Sequence, residues 1–167
     1  SYCVGDRCIV LLTSGNLSTS QFVYKTIRED LEATNPTTSL NTCKNFDEIA
    51  HYIGMLSWQR SNTDGVSVNT NLGSNFILGG QIKGQETEMM MIYPVGNYIR
   101  TYEIKPFLQL GETKDGKPIV DRLIRKELSI GDAARWAIVY FDSTMKSDLT
   151  VSTTKDLITN KADSLEM

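Results

Sequence analysis

Residues 8–16 decide the fold of this chain; they read Cys8-Ile9-Val10-Leu11-Leu12-Thr13-Ser14-Gly15-Asn16. The apolar run that ends at Thr13 predicts a buried strand, and Gly15 and Asn16 predict the turn that closes it. Ser18 and Gln21 then have the spacing of a helix capping box, and apolar residues recur every fourth position after them. We therefore expect a strand that is followed directly by a helix.

A second helix is predicted immediately after the first one. Asn45 and Glu48 repeat the capping spacing, and an apolar stripe then continues to about Arg60. Beyond a polar connection, four short runs rich in β-branched, aromatic and long apolar residues predict strands. These runs are residues 76–82, 88–93, 97–104 and 107–110. The spacing of the turn residues between them is typical of an antiparallel meander.

Two more helices and a strand are expected in the last third of the chain. Pro118 suits the first turn of a third helix, and Ser129 with Asp132 has the capping spacing of a fourth. Residues 149–158 alternate and predict a last strand. Paired helices between groups of strands do not fit a parallel doubly wound sheet. They favour an α+β sandwich with the helix pairs outside the sheets.

Composition excludes several classes of function. At 167 residues the chain is expected to form a single domain. With 17 basic and 20 acidic residues, it has no charge excess that would favour nucleic acid. No apolar run has the length of a membrane-spanning helix, and no signal peptide is recognisable at the start. We expect a cytoplasmic protein without a membrane or nucleic acid partner.

The cysteine and histidine inventories restrict the chemistry further. Cys3, Cys8 and Cys43 are the only cysteines, and an odd number favours reduced thiols over a disulfide scaffold. His51 is the single histidine. A zinc site with several imidazoles is therefore excluded, and any histidine-based triad depends on that one residue.

Ser1 offers a chemistry that needs no histidine. A serine at the start of a chain carries a free α-amino group, which can act through a water as the base for its own hydroxyl. Such a site needs a nearby cation that favours the neutral amine, and a backbone N–H that stabilises the oxyanion. The alternative is an ordinary chain terminus. On spacing alone, Asp142, Ser143 and Ser147 are predicted to be cap and turn residues after the fourth helix.

Five stretches of the sequence carry a family resemblance; they are LLTSGNL (residues 11–17), NFILGGQI (75–82), YPVGN (93–97), FLQLGETK (107–114) and FDSTMKS (141–147). Together they resemble the bacterial proteasome-like peptidases called Anbu. The resemblance implies the four-layer αββα sandwich of N-terminal nucleophile hydrolases. It implies no metal and no organic cofactor.

The resemblance also implies roles for particular residues. Ser1 matches the nucleophile, and Gly15 matches the glycine whose backbone N–H stabilises the oxyanion. Thr13 would line the substrate pocket. Asp142 matches the aspartate that supports the terminal amine, with Ser147 as its partner serine. Supporting roles at Glu112 and Ser143 complete the set of site residues, and Glu112 stands where related subunits carry a serine.

One segment of the family has no counterpart in this chain. In the family, a few tens of residues that include an aspartate and a lysine follow the opening strand, whereas Gly5 is followed here by sequence that resembles a region well downstream. We expect residues 1–167 to form a single proteasome-like domain with an additional segment, absent from this sequence, between residues 5 and 6. The alternatives are a truncated, inactive variant and a tight hairpin turn at Gly5 and Asp6.

The expected function follows from this resemblance. It is a proteasome-type peptidase that cleaves amide bonds of peptides or unfolded proteins through a Ser1 acyl-enzyme. The resemblance implies self-assembly into a ring or an open helical homo-oligomer. Two alternatives stay open: a catalytically inactive scaffold, and a small-molecule amidase on the same fold.

Overall fold

The computed structural model describes residues 1–64, 72–111, 117–147 and 156–164. Its elements in chain order are β1 (Tyr2–Val4), β2 (Arg7–Gly15), α1 (Leu17–Glu32), α2 (Phe46–Asp64), β3 (Ser74–Ile82), β4 (Glu88–Ile92), β5 (Tyr98–Arg100), α3 (Lys117–Leu123) and α4 (Ile130–Ser147). Each strand pairs antiparallel with the next, so that the sheet order is β1-β2-β3-β4-β5. The predicted order of strand, two helices, several strands and two helices is confirmed.

Two of the predicted strands are not observed among the described residues. Residues 107–110 do not form a strand, and Pro106 before them lacks the backbone N–H that strand pairing uses. These residues instead line a cavity against α3 and α4. Most of the strand predicted at residues 149–158 lies outside the described residues. Its described part, residues 156–158, is not in a strand.

The helix caps agree with the sequence patterns at two of three sites. Asn45 Oδ1 accepts the N–H of Glu48 at 2.9 Å, and Ser129 Oγ accepts the N–H of the third residue of α4 at 3.1 Å. The predicted cap at Ser18 is wrong. Asn16 caps α1 instead, because its side chain accepts two backbone N–H groups of the first turn, at 2.9 and 3.2 Å.

The inner face of the sheet, which α1 and α2 cover, holds the core. Its sheet side chains are fully or almost fully buried; they include Ile9, Phe76, Leu78, Met90 and Ile92. The opposite face of the sheet, here called the outer face, carries Leu12, whose side chain is 50% exposed. The described residues thus form a mixed α/β fold with one antiparallel sheet and four helices. The second sheet that a four-layer sandwich requires does not lie among them.

The hairpin of β1 and β2 turns at Gly5 and Asp6, with Gly5 at a φ of +64°. The buried Arg7 guanidinium holds the hairpin in place by donating to the Leu40 and Cys43 carbonyls. Arg7 also donates to the Asp6 carboxylate, and this hydrogen bond holds the Asp6 pKa below its usual range. The additional segment expected between residues 5 and 6 stays a prediction.

A disulfide joins Cys3 to Cys8 across this hairpin. The expectation of reduced thiols is therefore wrong for this pair, because the register places the two residues directly opposite each other. Cys43 is a free cysteine.

Candidate functional site

Ser1 lies at the mouth of a cavity between the hairpin and α1. Tyr2 pairs with Ile9, which sets Ser1 beside the middle of β2. The cavity has a volume of about 280 Å³ and is lined by Ser1 together with apolar residues of β2 and α1. Ser1 itself is exposed. An exposed hydroxyl beside an apolar cavity is the geometry in which a substrate side chain can bind close to a nucleophile.

Gly15 ends β2 and opens the turn into α1. Its φ is +116°, and a Cβ atom at this position would lie 2.6 Å from the carbonyl oxygen of Gly73. The N–H of the next residue, Asn16, donates to that same carbonyl at 3.1 Å. Only glycine fits where the strand, the turn and the Gly73 segment approach so closely.

Thr13 belongs to a hydroxyl network beneath this turn. Its Oγ1 shares a 2.8 Å hydrogen bond with Ser20 Oγ, on the first turns of α1. Ser20 and Ser74 both donate to the Asn16 carbonyl, at 3.1 and 2.8 Å. The network therefore fixes the β2–α1 turn. Thr13 also contributes to the wall of a larger apolar cavity on the outer face.

Ser1 and Gly15 lie far apart along β2. The register of the hairpin sets Ser1 at the level of Val10, five residues before Gly15. At about 3.3 Å per residue, this corresponds to roughly 17 Å. The structure therefore does not bring the predicted nucleophile and the predicted oxyanion glycine together.

The predicted site residues of α4 lie on the other side of the sheet. Asp142 and Ser143 are inside this helix and Ser147 is its last residue, so the prediction that they are cap and turn residues after the helix is wrong. Asp142 accepts from Lys146 Nζ at 2.8 Å, and this hydrogen bond raises the Lys146 pKa. The spacing of four residues produces this pair on one helix face. Glu112 lies outside the described residues.

The outer face and the α3–α4 pair enclose a second cavity, of about 490 Å³. Its walls are largely apolar; they include Leu12, Ile77, Val120, Ala137 and Phe141.

None of the helices within the described ranges combines the length and the hydropathy needed to cross a lipid bilayer.

The remaining thiol, Cys43, is poorly suited to act as a nucleophile. Cys43 is buried, and desolvation together with the nearby Glu48 carboxylate raises its thiol pKa. A raised pKa opposes formation of the nucleophilic thiolate. His51 is exposed on α2.

One residue near Ser1 is not apparent from the sequence patterns. Arg28 of α1 lines the same cavity as Ser1, 27 positions away along the chain. In the sequence, Arg28 is marked only as the residue that follows Ile27 of the apolar stripe of α1, which does not indicate a place near Ser1. Its proximity to Ser1 depends on the register of β1 against β2, which no local pattern specifies.

No protein-family model matches the sequence, and no curated protein matches it. Solved structures do match. Anbu (ancestral beta-subunit) from Yersinia bercovieri superposes with a TM-score of 0.82 and 33% identity, over 87% of this chain and 61% of that chain. Anbu from Hyphomicrobium sp. strain MC1 superposes with a TM-score of 0.80 and 39% identity, over 89% of this chain and 62% of that chain.

A third match is the helical assembly of the Anbu complex from Pseudomonas aeruginosa, with a TM-score of 0.81 and 36% identity over 89% of this chain and 62% of that one. The fold and these relatives define the class: a proteasome-like β-subunit fold. Within this class the matching structures are Anbu structures, which confirms the resemblance that the motifs predicted. The chain spans about three fifths of the length of these relatives.

Proposed function

We propose that the protein is a proteasome-type peptidase that cleaves amide bonds through a Ser1 acyl-enzyme. The observation that carries the proposal is the similarity to Anbu structures at 33–39% identity over nearly nine tenths of the chain. The exposure of Ser1 supports it. The same relationship supports residues 1–167 as a single proteasome-like domain, working in the cytoplasm on peptides or unfolded proteins.

The proposed reaction runs in two steps. Ser1 Oγ attacks the scissile carbonyl carbon while its proton passes, through a water, to the α-amino group of Ser1. The C–N bond then breaks, and the leaving amine takes that proton. A water attacks the resulting ester, which releases the carboxylic acid and restores the Ser1 hydroxyl. A backbone N–H, assigned to Gly15, stabilises the oxyanion of each tetrahedral intermediate, and Asp142 with Ser147 supports the terminal amine.

This assignment requires Ser1 to approach the β2–α1 turn. We propose that an additional segment between residues 5 and 6 separates β1 from β2 and allows this approach. The cavity of about 490 Å³ between the outer face and α3–α4 is where a second sheet would complete the four-layer sandwich. Its apolar walls, with Leu12 half exposed, suit another apolar layer. Thr13, which contributes to the wall of this cavity, would then line the substrate pocket.

Homo-oligomerisation is part of the proposal. The related Anbu complex from Pseudomonas aeruginosa forms a helical assembly. An assembly of this kind would restrict access to short or unfolded substrates. Light scattering of the purified protein is expected to give a mass of several subunits, and a monomer at micromolar concentration contradicts this part.

Hydrolysis of two substrate sets tests the reaction. Fluorogenic peptide amides and N-acyl amides are incubated with the protein, with Ser1→Ala and with Ser18→Ala, which also removes one exposed hydroxyl. We expect peptide cleavage that Ser1→Ala abolishes and Ser18→Ala preserves. Cleavage of N-acyl amides alone would make the protein a small-molecule amidase. Equal cleavage by the parent and Ser1→Ala would contradict a Ser1 nucleophile.

The second candidate function is a non-catalytic scaffold. The separation of roughly 17 Å between Ser1 and Gly15 along β2 favours it. The absence from this sequence of the segment that carries the family's aspartate and lysine favours it as well. A scaffold is expected to assemble normally and to leave both substrate sets intact.

A further inference from the structure

Two buried hydroxyl groups converge on the carbonyl oxygen of Asn16, the residue that follows Gly15. Ser20 Oγ donates to this oxygen at 3.1 Å, and Ser74 Oγ donates to it at 2.8 Å. Ser74 is fully buried and Ser20 is 4% exposed. The same oxygen already accepts the N–H of Ser20 at 3.1 Å, which is the hydrogen bond that the first turn of α1 needs. The two hydroxyls therefore hold this carbonyl beyond what helix formation requires.

Thr13 completes a directed chain of hydrogen bonds. The single hydroxyl proton of Ser20 goes to the Asn16 carbonyl, so Thr13 Oγ1 is the donor in the 2.8 Å hydrogen bond between Thr13 and Ser20. The N–H of Asn16 donates to the Gly73 carbonyl at 3.1 Å. Asn16 is thus held through both its N–H and its carbonyl, by α1 and by the chain at the start of β3.

The strand pairing sets the direction of the Gly15 N–H. Gly15 lies opposite Ser74, and the neighbouring pair, Asn16 with Gly73, is hydrogen-bonded. Hydrogen-bonded and non-hydrogen-bonded pairs alternate along an antiparallel ladder, so the N–H of Gly15 points away from β3. Among the residues that the structure describes, this N–H has no hydrogen-bond acceptor. It is therefore available to an anionic oxygen.

We propose that Ser20 and Ser74 are positioning residues that hold the Gly15 N–H in place for the oxyanion of the Ser1 reaction. Glycine has more conformational freedom than any other residue, so the direction of its N–H depends on what holds its neighbours. The two hydroxyls fix the neighbour Asn16. A donor that is fixed before the reaction stabilises the oxyanion without reorganisation.

This role rests on the proposed function, because it belongs to the oxyanion step of that reaction. None of the hydrogen bonds in the network involves β1. The network is therefore compatible with the movement of Ser1 towards the β2–α1 turn that the reaction requires.

Removal of one hydroxyl should lower kcat and leave KM unchanged. Ser74→Ala keeps the helix bond to the Asn16 carbonyl, so the protein should fold, but the turn is held less firmly. The N–H of Gly15 contacts the oxyanion only in the transition state. For a fluorogenic peptide amide, kcat should therefore fall about tenfold while KM stays within about twofold. Ser20→Ala should act in the same direction, and Ser74→Thr, which keeps the hydroxyl, should retain most of the parent kcat.

Ser39→Ala is the matched control. Ser39 is 1% exposed, and its Oγ accepts the N–H groups of Asn41 and Thr42 at 3.2 and 3.3 Å. The substitution therefore also removes a buried, hydrogen-bonded hydroxyl, but one in the connection between α1 and α2. It should keep the parent kcat. Urea midpoints of Ser39→Ala and Ser74→Ala show whether the two variants lose similar stability, and an equal loss of kcat in both would overturn the positioning role.

Two further measurements report on the turn itself. A peptidyl boronate becomes tetrahedral when the Ser1 hydroxyl adds to it, so its affinity for Ser74→Ala should fall by about the same factor as kcat. Hydrogen exchange followed by NMR needs no substrate. The N–H of Asn16 should exchange at least about tenfold faster in Ser74→Ala than in Ser39→Ala, because the turn opens more readily. Equal exchange in the two variants would contradict the role of Ser74.

The outcomes separate this role from the proposed function. Hydrolysis by the parent, with a loss of kcat in Ser74→Ala and not in Ser39→Ala, supports both. Hydrolysis that Ser74→Ala fully retains, or a loss that appears only in KM, would contradict the positioning role and leave the peptidase standing. Neither hydrolysis nor boronate binding by the parent would contradict the peptidase and this role with it.

Discussion

The two faces of the sheet differ in how completely they are covered. On the inner face, Ile9, Phe76, Leu78 and Met90 are no more than 2% exposed beneath α1 and α2. On the outer face, Leu12 of β2 is 50% exposed beside a cavity of about 490 Å³. Both faces belong to the same strands, so the difference lies in the layers of chain that cover them. The inner face provides the core, whereas the outer face keeps a half-exposed leucine beside a cavity.

The largest expected effect is on the inner face. Phe76→Ala removes a fully buried ring and should lower the free energy of unfolding by about 3–5 kcal/mol. Leu12→Ala on the outer face should lower it by less than about 1.5 kcal/mol, because half of that side chain is already in water. Urea unfolding followed by circular dichroism measures both. Equal losses would contradict the difference between the faces.

Two adjacent glycines of β3 sharpen the comparison. Gly80 has a φ of +141°, and a Cβ there would lie 2.0 Å from the Cys8 carbonyl oxygen. Gly80→Ala should therefore destabilise the protein by about 2–3 kcal/mol, as a strained backbone does. The nearest atom to a Cβ at Gly79 is 3.7 Å away, in the flexible Met89 side chain. Gly79→Ala is the matched control and should unfold at nearly the parent urea concentration.

Asp47 links α2 to β5 and should give a smaller, pH-dependent effect. Its carboxylate accepts hydrogen bonds from the Tyr98 hydroxyl at 2.7 Å and from Arg100, which hold its pKa below the usual range. A lowered pKa means that the carboxylate stabilises the fold above about pH 4 and loses this effect as the pH falls through the lowered value.

Asp47→Asn should accordingly cost about 0.5–1 kcal/mol at pH 7, a small value because the side chain is half exposed. The difference from the parent should shrink in unfolding titrations carried towards pH 3. A difference that stays constant with pH would mean that the charge of Asp47 contributes nothing.

The smallest expected effect is on α4. Lys146→Gln breaks an exposed pair with Asp142, and solvent screens such pairs strongly. The urea midpoint should not change measurably, whereas hydrolysis should change if the pair orients Asp142 for the Ser1 reaction. A large loss of stability in Lys146→Gln would contradict this prediction and would mean that this face of α4 is packed against other protein.

Local patterns predicted the fold where local chemistry determines it. The caps at Asn45 and Ser129 follow from side chains that reach the next turn of their own chain. The cap of α1 was assigned to Ser18 because the capping-box spacing is present there. Asn16, two residues earlier, takes that role because Gly15 turns the chain directly before it. Residues 107–110 have strand composition, but pairing depends on a neighbour that no local pattern supplies.

The candidate site was less predictable, because its parts come from distant positions. The family resemblance identified Ser1 and Gly15, yet the register of a two-residue hairpin decides how far apart they lie. That same register brings Arg28 to the cavity of Ser1, and it places Cys3 opposite Cys8. None of these three outcomes has a periodic signature in the sequence.

The central claim is that Ser1 is a nucleophile, and covalent labelling tests it most directly. The full chain and Ser1→Ala are incubated with a peptidyl electrophile that carries an apolar side chain, and intact and peptide-resolved masses are recorded. We expect one adduct per chain, located on Ser1 and absent from Ser1→Ala. An unmodified parent protein, or an adduct that persists in Ser1→Ala, would contradict the claim.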